Sequence, residues 1–119
     1  MKNTRSINLR KSITNKWLRD YLYRFFRLKD KFNAEYIAVL TKLYTNDGYV
    51  SLGNKLIVNI NNKHDILGYV NYVTDQFELK STDLPKKINK VYVYYIETDK
   101  DSYDKYYQDL VSNSKDINL

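Results

Sequence analysis

Between Asn15 and Phe32 the apolar and charged side chains recur with a helical period. On a wheel of about 100° per residue, Trp17, Leu18, Tyr21, Leu22, Phe25, Leu28 and Phe32 share one arc, with Phe26 at its edge. Lys16, Arg19, Arg24, Arg27 and Lys31 fill the opposite arc, with Asp20, Tyr23 and Asp30 among them. This predicts an amphipathic helix with a ring-rich inner face and a cationic outer face. Thr14 or Asn15 can cap its first turn by accepting a backbone N–H. A second stripe follows after a bend near Asn33. Tyr36, Ile37, Val39, Leu40, Leu43 and Tyr44 predict a helix from Ala34 to about Thr45, ended at Asn46-Asp47-Gly48, where Gly48 can take a positive φ.

Beyond Gly48 the period falls to two. Tyr49–Leu52 and Lys55–Ile60 flank Gly53-Asn54, a dipeptide suited to a type II′ hairpin turn. Residues 65–80 fit both periods. Ile66, Val70, Val73 and Phe77 trace a helical stripe behind Asp65, whereas Gly68, Tyr69, Tyr72 and the β-branched positions favour strands around a Thr74-Asp75-Gln76 turn. We take the segment as two strands. Ile88 to Glu97 is the clearest strand, β-branched and tyrosine-rich on both faces, and such a strand belongs in a central or covered position. Ser102 to Val111 reads as a closing helix with Tyr103, Tyr107, Leu110 and Val111 inward. The predicted fold is α+β: two N-terminal helices, a mostly antiparallel sheet of four or five strands, and a C-terminal helix. Residues 1–14 are predicted to form a basic N-terminal arm that orders against a partner, and residues 15–119 a single domain.

Charge changes this picture at one end. Residues 1–32 hold ten basic and two acidic side chains, a balance of +8, and residues 33–119 hold ten and twelve, a balance of −2. All five arginines (Arg5, Arg10, Arg19, Arg24 and Arg27) lie within the first 27 residues. Arginine makes forked contacts to phosphate and carboxylate that lysine does not. The segregation therefore predicts a docking surface made of Arg5, Arg10, Lys11, Lys16, Arg19, Arg24, Arg27 and Lys31. A solvated outer face is the plainer reading of the same arc. Residues 1–19 also share the arginine-bearing, acid-free composition of a mitochondrial presequence, which we expect to stay on the chain.

Candidate chemistry is sparse. The chain has no cysteine, so disulfides and thiolate metal sites are excluded. His64 is the sole histidine, and the three glycines are isolated, so neither a Ser-His-acid set nor a glycine-rich phosphate loop can be assembled. Glu97, Asp99, Asp101 and Asp104 lack the glycine and closing glutamate of a calcium loop, and Asp99 or Asp101 suits a helix cap better. No apolar run approaches the roughly 20 residues of a membrane span. Tyr92, Tyr94 and Tyr95 could serve a protein interface or stack nucleic-acid bases.

The expectation is a non-catalytic protein without cofactor, metal or small-molecule substrate. Its leading form is a structural subunit of a large assembly, a virion, phage or ribosome-like particle, docked on other protein subunits through the basic arm and helix. The alternative is a free nucleic-acid-binding protein that sets the same basic face on DNA or RNA phosphates. The expected setting is a virion or the cytoplasm, with no secretion.

Overall fold

A computed structural model of the chain describes residues 2–11, 13–27, 32–46, 48–81, 88–106 and 108, with residues 2–11 and 53–55 described by their backbone alone. The elements run β1 (Lys2–Lys11), α1 (Asn15–Arg27), β2 (Tyr36–Thr45), β3 (Gly48–Asn59), α2 (Lys63–Lys80) and β4 (Ile88–Thr98). A helical stretch over residues 100–106 follows. The four strands form one antiparallel sheet in the order β1-β4-β2-β3. Helix α1 links β1 to β2 across β4, and α2 links β3 to β4 across β2. Two split βαβ units are thereby interlocked. The α+β class holds, with one helix ahead of the central sheet rather than two.

Helix α1 begins as its sequence directs: Trp17 N donates to Thr14 Oγ1 at 3.0 Å and Leu18 N to Thr14 O at 3.1 Å. Leu18, Leu22, Phe25 and Phe26 are buried on its inner face. Arg24 and Arg27 stand in the last turn, where the exposed carbonyls favour positive charge. Lys31 lies outside the described residues.

The helix expected over Ala34–Thr45 is instead strand β2. Its residues fit a helical stripe, but Ile37, Val39, Thr41, Leu43 and Thr45 also alternate, and all five are buried, with Ala38 the one residue of the opposite set buried as well. Four of these five side chains (Ile37, Val39, Thr41 and Thr45) are β-branched, which suits a pleated surface better than a helix interior. The chain reverses at Thr45–Gly48, where Gly48 takes the positive φ of 135° foreseen for it, now within a hairpin.

Strand β3 runs straight through Gly53-Asn54, so the hairpin expected there is absent. Thr41 pairs with Leu52 and Val39 with Leu56, so two steps along β2 face four along β3. The dipeptide is part of a bulge, a device suited to a strand at the sheet margin.

Residues 65–80, expected as two strands, lie in helix α2. Asn62 caps it, its Oδ1 accepting from His64 N at 2.9 Å and from Asp65 N at 3.3 Å. Asp65, which heads the helical stripe of the alternative reading, is not the cap and accepts from Asn59 N at 3.0 Å through Oδ2. Tyr69, Val70, Val73, Thr74 and Phe77 are buried, so packing outweighs the weak helix preference of valine and threonine.

Both helices cover the same side of the sheet. Phe25 meets Tyr95 at 5.5 Å between ring centroids, Phe26 meets Tyr69 at 5.6 Å, and the Tyr69 hydroxyl lies 2.6 Å from Thr41 Oγ1. The core is the layer between: Ile37, Val39, Leu43, Leu52, Val58, Val91 and Val93 below, and the inner faces of α1 and α2 above. Strand β4 sits between β1 and β2, as its apolar character on both faces foretold. The closing helix appears over residues 100–106, capped by Asp99, whose Oδ1 accepts from Ser102 N at 2.8 Å. That bond holds the Asp99 carboxyl below its ordinary range. Tyr107, Leu110 and Val111 lie outside the description.

Candidate nucleic-acid interface

Alternation in the two central strands sends every second side chain away from the helices. On β2 these are Tyr36, Ala38, Leu40, Lys42 and Tyr44, and on β4 they are Lys90, Tyr92, Tyr94 and Ile96. Register sets Ala38 beside Ile96, Leu40 beside Tyr94, Lys42 beside Tyr92 and Tyr44 beside Lys90. Strand β3 adds Ile57 beside Ala38, Ser51 beside Lys42 and Tyr49 beside Tyr44. The side opposite α1 and α2 is thus apolar at one end and tyrosine with lysine at the other.

At the tyrosine end the rings form a continuous run. Tyr92 and Tyr94 stack at 5.4 Å and 23°, Tyr44 meets Tyr92 edge-on at 5.0 Å, and Tyr49 meets Tyr44 at 5.7 Å. The Tyr44 and Tyr94 hydroxyls lie 3.4 Å apart. That contact, with partial burial and the neighbouring Tyr44 and Tyr92, pushes the Tyr94 hydroxyl up to about 12. Tyr49 is 58% exposed, and Tyr44, Tyr92 and Tyr94 are half-buried.

Two ammonium groups lie among the rings. Lys42 Nζ stands 4.6 Å from the centre of Tyr49 and 5.4 Å from that of Tyr94. Lys90 Nζ stands 5.2 Å from the centre of Tyr92 and donates to its hydroxyl at 3.1 Å. Cation–π attraction holds both chains near the surface. Among the β2 and β4 positions on this side there are two lysines and no carboxylate. Ring faces for stacking and cations for phosphate are the elements of a single-strand platform.

The sequence-derived site residues are divided by this geometry. Tyr92 and Tyr94 belong to the open side, whereas Tyr95 is buried on the helix side, edge-on to Phe25 and to Phe32 at 5.0 Å. Lys16, Arg24 and Arg27 are exposed on α1, with Arg24 Nε donating to Asp20 O at 3.5 Å. Arg19 is half-buried, its Nη2 3.3 Å from Thr74 Oγ1. Arg5, Arg10 and Lys11 lie on β1, where Arg5 pairs with Val93 and Lys11 with Ile88 along the backbone. The basic helix and the tyrosine surface therefore occupy opposite layers.

A helical reading of β2 hides Lys42 and Tyr44, and pairing Tyr49–Leu52 across Gly53-Asn54 rather than with β2 hides Tyr49. Taken as a strand, the Lys42–Tyr44 alternation places both beside Tyr92 and Lys90. Among the described residues no group of three or more His, Cys, Asp or Glu could hold a metal ion, and no helix is long and apolar enough to cross a membrane. In comparison with known proteins, the chain matches no family model and no curated protein sequence.

Proposed function

We propose that this chain is a non-catalytic protein that binds single-stranded nucleic acid on the open side of its sheet. One observation carries the reading: four tyrosines and two lysines in mutual contact on the side away from α1 and α2. Bases stack on Tyr49, Tyr92 and Tyr94, while Lys42 and Lys90 turn to backbone phosphates. A duplex hides its base faces, so the surface prefers single strands.

The test is a titration of a labelled single strand and its duplex, followed by polarisation across salt concentrations. The single strand is expected to bind at least tenfold more tightly. Lys42→Ala should reduce the dependence of log affinity on log salt by about one phosphate contact. Equal binding of the two forms would refute the platform.

A second reading has its own support. Lys16, Arg24 and Arg27 stand exposed on the outer side of the helical layer, which suits docking into a larger particle through an acidic surface or phosphates. A Lys16/Arg24/Arg27 triple alanine variant that stays out of the particle, yet binds single strands normally, would favour this reading.

A further inference from the structure

Ala38 is the smallest side chain on the open side of the two central strands, and it stands beside Ile96 on β4 and Ile57 on β3. Its methyl leaves a depression of about 300 Å³, walled by Leu40, Lys42, Tyr94 and Ile96. Val39 and Tyr95 send their side chains to the helix side, so they meet this space with their backbone. Those peptide groups belong to the β2–β4 ladder, which leaves a flat, mostly apolar floor. Tyr94 supplies one ring wall, and the Lys42 ammonium stands at the rim, 5.4 Å from that ring.

We infer that this depression is a nucleobase subsite: one base of a bound single strand lies over Ala38 against Tyr94, with its adjoining phosphate at Lys42. The inference rests on the single-strand reading and deepens it by locating one base. Charge selects this occupant. A second copy of the chain, set face to face, would bring Lys42 and Lys90 towards their own equivalents with no carboxylate among the β2 and β4 positions of this side, and like charges so placed oppose association. A strand of anionic phosphates meets the same two lysines favourably. A free mononucleotide would use the depression alone, whereas the ring run from Tyr94 through Tyr92 and Tyr44 to Tyr49 continues the surface for neighbouring nucleotides.

The test fills the depression from Ala38, itself buried but on the side of the sheet away from the α1/α2 layer. Ala38→Leu adds its bulk on the open side, and an unchanged thermal unfolding curve verifies the fold. The probe is a labelled single-stranded DNA of about 12 nucleotides, within the usual reach of such platforms, beside an abasic strand of equal length. Ala38→Leu should bind the DNA about tenfold more weakly, the loss of one stacked base. The salt dependence should persist, and affinity for the abasic strand should not change. In the wild-type protein the Ala38, Leu40 and Ile96 methyl resonances should move upfield on binding DNA and stay in place with the abasic strand. This second measurement needs no variant.

If the wild-type protein binds DNA while Ala38→Leu binds it equally and the methyls stay fixed, the subsite is wrong and the single-strand reading survives. If the wild-type protein binds no single strand, both fall. A wild-type dimer in sedimentation that Ala38→Leu dissociates would assign the depression to a second copy and overturn the inference.

Discussion

At the scale of single residues, the hydroxyl between the layers is the most consequential polar group. Tyr69 is fully enclosed, and its hydroxyl meets Thr41 Oγ1 at 2.6 Å. Burial raises its pKa well above the usual tyrosine range, because a phenolate there would lose its water. Tyr94 is raised as well, to about 12 from 10.0. In both cases the folded state holds its proton more tightly than the unfolded chain. Their contribution is therefore complete below pH 10.0; that of Tyr94 is lost as pH rises towards about 12, and that of Tyr69 goes on being lost above it. Thermal unfolding followed across alkaline pH should show a falling midpoint in this window, with a shallower fall in Tyr69→Phe. An equally steep fall in that variant would remove Tyr69 from the explanation. Near neutral pH, Tyr69→Phe should lose about 1–3 kcal/mol, since Thr41 keeps a buried hydroxyl without this partner.

At the scale of elements, β2 and α2 show what the pattern could and could not decide. Both hold apolar residues at spacings that satisfy two periods. Ile37, Val39 and Leu43 match a strand by alternation and a helix by their neighbours Leu40 and Tyr44. Val70, Val73 and Phe77 match a helix by spacing and a strand by composition. The decision comes from partners distant in sequence: β4 pairs along β2, and α1 offers α2 a ring surface in Phe26. Such partners lie outside any local window. Helix α1 was legible through its one dominant period and its cap, and strand β4 through its β-branched and tyrosine-rich composition. Asn62 was the missed signal for α2, an N-cap residue directly before the stripe. Asn62→Ala should lower stability by about 0.5–2 kcal/mol in urea unfolding, and no change would show that the cap is dispensable.

At the scale of the whole molecule, one sheet separates two unlike surfaces. The helical layer carries the exposed Lys16, Arg24 and Arg27, and the far side carries the tyrosines with Lys42 and Lys90. The charge segregation that dominates the sequence drew attention to the first surface. The second was hidden because its members come from three strands, β2, β3 and β4, and meet only when register is known. Of the tyrosine triplet in β4, alternation alone separates Tyr92 and Tyr94 from Tyr95. Residues 2–11, expected as an arm, pair along β4 as a strand of the same sheet.

The two surfaces can be told apart in a single comparison of affinities for one labelled single strand at fixed salt. Wild-type protein is measured beside a Tyr92→Ala/Tyr94→Ala variant and the Lys16/Arg24/Arg27 triple alanine variant. Removing two stacking rings should weaken binding by at least tenfold, and the helix variant should stay within about threefold of wild type, as expected for exposed charges distant from the bound strand. Undiminished binding by the tyrosine variant, with the loss falling on the helix variant instead, would contradict the assignment of the sheet as the binding surface.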